Sequence, residues 1–311
     1  MEIIRGIDQI RSKHQHQAVV LGFFDGLHRG HQALIEKARF TADQSSPKSR
    51  VLLYTFDRHP LEIVDPARVP PLLTILEEKI KLASKFPLDY FLIDEFSQEL
   101  SNLEPQVFLE TIVAQILKPK NVIIGFNYRY GKDHQGNAST LLLNAKKLGI
   151  DVTVVEPEIV NQAPISSTRI RTLLREGNVG EAESLLGRRY SVQGKVVRGE
   201  GRGKALGVPT ANLEIPQEKL IPRSGVYLGL VQVDGGKFGG LISVGKCPTF
   251  GGERLVVEAH LLDFQGNLYG KEVEIEFVAW CRDQETFASP EALAEKMKED
   301  IALGRSLLAS Y

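Results

Sequence analysis

The chain has 311 residues, of which 42% are hydrophobic and 25% are charged, a composition typical of a globular protein with room for two domains. The formal net charge of -1 argues against a nucleic-acid partner, because such binders carry a clustered excess of basic residues. Two widely separated cysteines predict no disulfide framework, and no secretory signal or membrane-length apolar stretch stands out. We therefore expect a cytoplasmic protein without a membrane partner.

In the first half of the chain, apolar strands alternate with amphipathic helices. Strands are predicted at residues 18–21, 51–56, 88–93, 121–125 and 152–155. Helices are predicted at residues 74–84, 105–117 and 139–148, the first of them from the capping-box spacing of Thr74 and Glu77. This alternation predicts an α/β domain with a mainly parallel sheet and helices on both of its faces.

A glycine-rich turn follows the first strand and precedes the first helix. It runs from Gly22 to His31, and Gly22, Gly26 and Gly30 leave the backbone open to a ligand. His28 and His31 are expected on the same side of the helix start, where imidazole donors and the helix dipole favour phosphate. Surface histidines or part of a metal site are the alternatives, but no further ligands of suitable spacing are nearby. We therefore predict a nucleotide-phosphate site here.

A second helix start carries hydroxyls and arginines. Residues 165–171 have the sequence Ile-Ser-Ser-Thr-Arg-Ile-Arg, which also fits an ordinary capped helix with solvated arginines. The hydroxyls and amide groups of Ser166, Ser167 and Thr168, with Arg169 one turn into the helix, are suited to binding a triphosphate. Because both helix starts are expected to follow strands of one parallel sheet, we predict that they act together.

After residue 187 the sequence changes to short β-type segments separated by Gly, Pro and Asp. Strands are predicted at residues 191–197, 225–231, 255–262 and 273–278, and this spacing favours a small antiparallel barrel. Two helices are predicted before the barrel, one that ends at about residue 176 and one at residues 179–186. A last helix is predicted to begin at Pro290, with Ser289 as its N-cap. We place the domains at residues 1–187 and 188–311.

The glycine-rich motif of the second half runs from residue 199 to residue 212. A flexible hairpin loop would explain its glycines. Gly203, Lys204 and Gly207 are equally suited to a loop that wraps around phosphates, because glycine backbone can approach a ligand closely and lysine supplies charge.

Polar residues near this motif fit a metal and a base. Thr210 and Asn212 alternate onto one face of an extended segment, where a hydroxyl and an amide oxygen can hold Mg²⁺. Glu258 lies in an apolar strand and shares a face with His260. A carboxylate there either faces solvent or accepts a hydroxyl proton, depending on what that face lines.

With these motifs in order, the chain resembles the bacterial bifunctional riboflavin kinase/FAD synthetase family along nearly its whole length. In the first half the resemblance is carried by residues 22–31, Thr55-Phe56, His59-Pro60, residues 125–131 and residues 165–171. In the second half it is carried by residues 203–212 with their Pro-Thr-Ala-Asn core, residues 225–227, 248–250 and 268–270, and Glu258.

For the first half, the resemblance implies a nucleotidyltransferase fold that joins FMN and ATP to give FAD and pyrophosphate. His28 and His31 would hold the ATP phosphates and stabilise charge on the leaving pyrophosphate, and Arg169 would bind the triphosphate. The further residues implied are Gly22, Phe24, Gly26, Ser166, Ser167 and Thr168 for ATP, and Asn127 and Arg171 for the flavin.

For the second half, the resemblance implies a barrel that phosphorylates riboflavin with ATP, giving FMN and ADP. Thr210 and Asn212 would bind Mg²⁺ and ATP, Gly203, Lys204 and Gly207 would contact phosphates, and Glu258 would act as base on the ribityl hydroxyl. Both transfers rest on positioning and charge stabilisation and need no covalent intermediate.

Two other functions stay open from the sequence. The chain could be an adenylyltransferase alone, with the barrel as a flavin-binding regulatory module, or a flavin carrier without catalysis. An assay with riboflavin and Mg-ATP separates the three, because only the two-activity enzyme makes FMN and then FAD without added FMN.

Overall fold

A computed structural model describes residues 1–15, 17–199, 208–249, 252–285 and 287–308. The chain divides into two compact units, Met1–Ser167 and Thr168–Tyr311. The first contains a parallel sheet and the second a closed barrel. Among the residues so described, no helix combines the length and apolarity that crossing a bilayer requires.

The first unit is built on a six-stranded sheet in the order β1-β4-β3-β2-β5-β6, and every neighbouring pair is parallel. The predicted α/β architecture is therefore confirmed. The edge strand β1 was not predicted, because only Ile4 of its four residues is buried and no alternation marks it. The strands are β1 (Glu2–Arg5), β2 (Ala18–Leu21), β3 (Val51–Phe56), β4 (Tyr90–Asp94), β5 (Asn121–Gly125) and β6 (Asp151–Val155).

Both faces of this sheet are buried, which explains why its strands are continuous apolar segments. Successive residues of a strand alternate between two separate hydrophobic clusters, as the period of two requires. One cluster contains Val19, Leu21, Leu52, Leu92, Val122 and Ile124. The other contains Ala18, Val20, Val51, Leu53, Phe91 and Ile123.

Four helices of the first unit connect these strands: α1 (Arg29–Gln44), α2 (Leu76–Ala83), α3 (105–117) and α4 (Ala138–Lys147). Helix α3 begins with Pro105–Val107 and continues as a π-helix over Phe108–Leu117. Single turns lie at Ile7–Gln9, Ser12–His14, Asp25–Leu27, Leu61–Val64, Pro66–Arg68, Gln98–Ser101 and Lys132–His134. Two-residue strands form the ribbons Arg129–Tyr130 with Gly136–Asn137 and Ile159–Val160 with Ala163–Pro164.

Thr74 does not cap α2, and the predicted capping box was wrong. The cap position is Ile75, whose backbone N–H donates to the Glu78 carboxylate at 3.2 Å. The Thr74 hydroxyl instead bonds to the turn after β2, accepting from the Gly26 N–H at 3.0 Å. The Thr74 hydroxyl thus accepts from a backbone N–H far away in sequence, and not from an N–H of the helix that the spacing predicted.

Two helices follow one another before the barrel. Helix α5 (Ser167–Glu176) begins at the last residue of the first unit, and α6 (Val179–Leu186) comes next. The glycines that end them, Gly177 and Gly187, have φ values of 86° and 71°. Both ends match the prediction, because this left-handed conformation favours glycine.

The second unit is a closed six-stranded antiparallel barrel in the order β7-β8-β11-β10-β9-β12. The predicted barrel is confirmed, although β8 and β10 were not predicted. Strand β8 has only four residues, and β10 contains several glycines that obscure its apolar pattern. The strands are β7 (Ser191–Val197), β8 (Ala211–Glu214), β9 (Gly225–Val233), β10 (Gly236–Thr249), β11 (Gly252–Leu261) and β12 (Glu272–Arg282).

The final helix α7 (Pro290–Leu308) packs against β10 and begins as predicted. The Ala292 N–H donates to the Ser289 hydroxyl at 3.2 Å, which satisfies the N-cap. Arg282 of β12 reaches Asp300 of α7 with its Nη2 and Nε, at 2.6 Å and 3.0 Å from Asp300 Oδ2. The Asp300 side chain is 9% exposed, so this charge pair joins the helix to the barrel away from water.

We predict that Asp300→Ala lowers the free energy of unfolding of the barrel by about 3 kcal/mol, because it removes the nearer and more buried of the two carboxylates paired with Arg282, the other being Glu285 at 3.6 Å. Trp280, the one tryptophan of the chain, lies two residues before Arg282, so urea unfolding followed by its fluorescence reports on this unit. The exposed neighbour Glu299 is the control, and Glu299→Ala should cost less than about 1 kcal/mol. Equal effects of the two substitutions would contradict the role of the pair.

Candidate functional site

A cavity of about 750 Å³ lies in the first unit, at the carboxyl ends of β2 and β5. The chain order of the sheet reverses between these two strands: β3 and β4 follow on one side of β2, and β5 lies on the other. Such a reversal opens a crevice for a ligand in parallel sheets. Gly22, Phe24, His31, Gly125 and Asn127 line the cavity.

The glycine-rich turn at one side of this cavity is fixed by Asp25. The Asp25 carboxylate, only 3% exposed, accepts hydrogen bonds from the backbone N–H groups of Leu73 (3.1 Å) and Thr74 (3.0 Å) and from the Thr74 hydroxyl (3.3 Å). Phe24 and Gly26, on either side of it, have φ values of 58° and 81°. The turn is therefore held in a left-handed conformation by bonds to the segment before α2.

The Phe23 carbonyl is the second fixed point of the same turn. It accepts the Thr55 hydroxyl at 2.9 Å and the Lys79 ammonium at 2.8 Å. The Ser167 hydroxyl donates to the Asp25 carbonyl at 2.9 Å. Three side chains far apart in sequence thus bond to two backbone carbonyls of the turn, those of Phe23 and Asp25, which leaves little freedom in its backbone.

His28 and His31 come together at the start of α1. Their rings stack with centroids 3.6 Å apart and planes inclined by 15°, so the predicted shared side is confirmed. His28 is the N-cap, and its Nδ1 accepts the His31 N–H at 3.3 Å. The same N–H also donates to the His28 carbonyl at 2.7 Å, and a neutral ring that accepts at Nδ1 would donate through Nε2. His28 is 6% exposed, whereas His31 reaches the cavity wall.

Aromatic residues form another part of the cavity lining. Phe56 packs edge-to-face on Tyr54 and Phe96, with ring centroids 5.4 Å and 4.9 Å apart. Tyr128 and Tyr130 are stacked at 5.8 Å. Such a wall accepts a flat aromatic ligand. The sequence did not predict this wall because its residues come from separate segments, although Phe56 and Tyr128 lie within two of the motifs that carry the resemblance, Thr55-Phe56 and residues 125–131.

A buried hydroxyl–carboxyl pair supports the aromatic wall. Tyr54 donates to Asp94 at 2.8 Å, and the Ile7 N–H donates to the same carboxyl group at 3.0 Å. Burial raises the pKa of Asp94, although these hydrogen bonds act in the opposite direction. Burial and the nearby Asp94 carboxylate raise the pKa of Tyr54 well above its ordinary value. Tyr54 therefore stays a protonated donor with a fixed ring.

The residues of the second predicted helix start contact different parts of the structure. Ser167 bonds to the turn through the Asp25 carbonyl. Arg169 forms an ion pair with Glu181 of α6 at 2.9 Å and is 20% exposed, and Arg171 is buried at 6% exposure. Ser167 therefore contacts the turn, whereas Arg169 forms its described ion pair with a residue of α6.

In the barrel, Thr210, Asn212 and Glu258 are brought together. The Thr210 hydroxyl donates to the Glu258 carboxylate at 3.1 Å, and Asn212 lies directly opposite Glu258 in the β8–β11 register. Glu258 and His260 share a face, as predicted, and it is the face opposite Val257 and Ala259, which are buried in the barrel. Oxygen donors thus cluster on the outer side of the barrel wall.

The predicted phosphate residues Gly203, Lys204 and Gly207 lie outside the residues that the structure describes. The sequence predicted no role for the side chains of Asp25 and Thr55, although both lie in motifs that carry the resemblance, and Lys79 and Asp94 lie in no such motif. Their side chains act on backbone far away in sequence, by 48 positions for the Asp25 bond to Leu73 and 56 for the Lys79 bond to Phe23. No local pattern marks such contacts.

Two family profiles match the chain, one for each half. Residues 10–169 match the family described as FAD synthetase, and residues 186–308 match the family described as riboflavin kinase. The first match contains five of the six strands of the sheet, β2 to β6, together with the turn and the stacked histidines. The second contains Thr210, Asn212 and Glu258.

Individual relatives match over nearly the whole chain. The bifunctional riboflavin kinase/FMN adenylyltransferase of Listeria monocytogenes is 36% identical over 287 residues, covering 92% of this chain and 90% of the relative. The protein of the same name from Pseudomonas fluorescens is 31% identical over 310 residues, covering 99% and 98%. A crystal structure described as a macrolide-efflux protein from Streptococcus pneumoniae has a TM-score of 0.89 at 30% identity, covering 98% and 99%. The chain therefore belongs to the family of bifunctional riboflavin kinase/FMN adenylyltransferases.

Proposed function

We propose that the two activities of this family reside at two separate sites of the chain. The barrel transfers the γ-phosphoryl group of ATP to riboflavin, giving FMN and ADP. The cavity of the parallel sheet then joins FMN to the AMP part of a second ATP, giving FAD and pyrophosphate. The observation that carries the proposal is one cavity lined both by a histidine of a helix start and by a group of aromatic residues.

For adenylylation, an oxygen of the FMN phosphate attacks the α-phosphorus of ATP, and the bond to the β-phosphate breaks. Negative charge grows on the leaving pyrophosphate, so donors fixed before the reaction stabilise the transition state. The Nε2–H of His28, the ring of His31 and the amide groups and dipole at the start of α1 supply such donors. Gly22 and Phe24, which line the cavity, border the phosphates, and Gly26 belongs to the same turn, with its N–H bonded to the Thr74 hydroxyl.

The flavin ring system stacks on the aromatic wall, since a flat heteroaromatic ring gains both burial and ring contacts there. Asn127, which follows β5 and lines the cavity, contacts the flavin, and Arg171 is assigned to the same substrate. Ser166, Ser167, Thr168 and Arg169 bind the triphosphate. For Arg169 this requires exchanging the Glu181 carboxylate for a phosphate, an anion that a guanidinium group can bind through two parallel hydrogen bonds.

For phosphorylation of riboflavin, Glu258 accepts the proton of the ribityl hydroxyl as that oxygen attacks the γ-phosphorus of ATP. The carboxylate is already oriented by the Thr210 hydroxyl. Thr210 and Asn212 offer neutral oxygen donors beside a carboxylate, a set that fits Mg²⁺ with water and phosphate completing its shell. When bound, the ion neutralises charge on the ATP phosphates. Gly203, Lys204 and Gly207 contact the same phosphates.

The boundary between residues 187 and 188 remains our proposal for the domain limit. The two family profiles leave residues 170–185 between them, and this segment contains most of α5 and α6. We assign these helices to the adenylyltransferase because α5 begins with the proposed triphosphate residues.

A product assay tests the proposal against a chain that has adenylyltransferase activity alone. The purified protein is given riboflavin and Mg-ATP, and flavins are separated by chromatography over time. FMN should form first and FAD second, without added FMN. Formation of FAD only when FMN is supplied would instead identify the barrel as a flavin-binding module, an arrangement that the Thr210–Glu258 contact disfavours.

We predict that His31→Ala lowers the kcat of FAD formation from FMN by about 10²- to 10³-fold, the usual loss for one fixed donor to developing negative charge. Riboflavin kinase activity of the same preparation is the internal control and should change less than about two-fold. FMN should therefore accumulate from riboflavin. A parallel loss of both activities would contradict independent sites.

We predict the reverse for Glu258→Ala. Phosphorylation of riboflavin should fall by about 10²- to 10⁴-fold, as expected when a general base is removed, while FAD formation from added FMN stays unchanged. Glu272, an exposed carboxylate at the start of β12, provides the matched control, and Glu272→Ala should keep both activities. If Glu258→Ala kept a kinase activity near that of Glu272→Ala, Glu258 would not be the base.

A further inference from the structure

Lys79 is a buried cation with an unusual set of partners. It lies on α2 with 2% of its surface exposed. Its Nζ donates to the Phe23 carbonyl at 2.8 Å and lies 3.9 Å from the centroid of the Phe23 ring. Among the contacts of the described residues, none pairs this ammonium with a carboxylate within ion-pair distance. The charge is held by one carbonyl dipole and one aromatic face.

This arrangement costs stability. An ammonium group loses its hydration when it is buried, and a carbonyl and a π-face return only part of that free energy. Burial lowers the pKa of Lys79 to about 8, although the charges of Asp25 and Asp57 act to raise it. An apolar side chain of similar length would fill the same space without this penalty. Packing alone therefore gives no reason for a lysine here.

The partner of Lys79 belongs to the turn between β2 and α1. Phe23 immediately precedes Phe24, the residue with a φ of 58°, and its carbonyl also accepts the Thr55 hydroxyl. Fixing this carbonyl orients the peptide unit that leads into Asp25 and the start of α1. Lys79 does not line the cavity, so it places a positive charge next to the turn without being part of the cavity wall.

We propose that Lys79 is a positioning residue for adenylyl transfer: it fixes the Phe23 carbonyl and supplies positive charge beneath the phosphate-binding turn, at the expense of stability. The proposal rests on the function proposed above for this cavity. Lys79 touches no substrate and acts through the turn. Its charge favours the transition state more than bound ATP, because the charge on the pyrophosphate grows as the bond breaks.

The titratable and charged groups around Lys79 are few. Asp25 of the turn and Asp57 after β3 both favour its charged form. Asp57 is paired with Arg58 at 3.1 Å, and His59 packs edge-to-face on the Phe23 ring at 4.9 Å. Glu78, the preceding residue of α2, bonds to the Ile75 N–H. None of these groups has a described contact with the Lys79 Nζ.

Lys79→Met tests the proposal, with Lys81→Met as the control from an exposed position of the same helix. The kcat of FAD formation from FMN should fall by about 10- to 100-fold in Lys79→Met, the range expected when a hydrogen bond to a charged group is lost. The KM for FMN should change less, and riboflavin kinase activity should stay within about two-fold of wild type. Lys81→Met should leave both activities unchanged.

Thermal unfolding distinguishes positioning from a purely structural role. Circular dichroism follows both units, and Trp280 fluorescence follows the barrel alone, so the melting temperature of the first unit can be separated. It should be unchanged or higher in Lys79→Met. A lower melting temperature, or failure of the first unit to fold, would show that Lys79 is structural and would overturn the proposal. FAD formation within about two-fold of wild type would overturn it equally.

The pH dependence supplies an independent readout. With a folded pKa of about 8, Lys79 loses its charge above that pH, so wild-type FAD formation should fall on an alkaline limb near pH 8. The limb should be missing in Lys79→Met and in the kinase reaction. Because the unfolded chain keeps this proton up to about pH 10.4, the free energy of unfolding of wild type should rise between pH 8 and 10. An unchanged limb in Lys79→Met would contradict the proposal.

Failure of this inference is distinct from failure of the proposed function. If wild type forms no FAD from FMN and ATP, the proposed function itself is wrong. If wild type forms FAD and Lys79→Met does so equally well, only the role of Lys79 is wrong.

Discussion

The adenylyltransferase site depends on the fixed backbone of one turn. Asp25 binds three donors of the Leu73–Thr74 segment, and the Phe23 carbonyl binds Thr55 and Lys79. These bonds hold a left-handed conformation that an isolated turn would not keep. The point at which this turn ends sets the positions of the stacked histidines, the start of α1 and one part of the cavity lining. Catalysis by fixed donors requires such rigidity, because donors that must reorganise stabilise the transition state less.

In the barrel, the register between strands positions the site residues. The antiparallel pairing of β8 with β11 sets Asn212 opposite Glu258, and Thr210 is two residues before Asn212 on the same side. A shift of one residue would move Glu258 to the buried face of the barrel. The apolar residues that alternate with the polar ones pack in the barrel core and so fix this register. The core therefore determines which side chains meet on the outer surface.

The sequence predicts what is local and periodic. The apolar strands β2, β3 and β5, the helix ends at Gly177 and Gly187 and the shared side of His28 and His31 all follow from short-range patterns. Long-range contacts leave no such pattern. Thr74 has the spacing of a helix cap but bonds to the turn, Lys79 has the sequence context of an exposed helical lysine, and the aromatic wall combines residues from distant segments. Their roles depend on tertiary packing that single-sequence patterns do not encode.

The central claim is that the two activities use two independent sites, and a mixing experiment tests it most directly. Each of the variants His31→Ala and Glu258→Ala is given riboflavin and Mg-ATP alone, and then the two are combined at equal concentration. Each variant alone should form FAD only at the slow rate left by its substitution, and the mixture should form it much faster, because FMN made by one protein is adenylylated by the other. A mixture that forms no FAD, while FMN accumulates in it, would contradict the account.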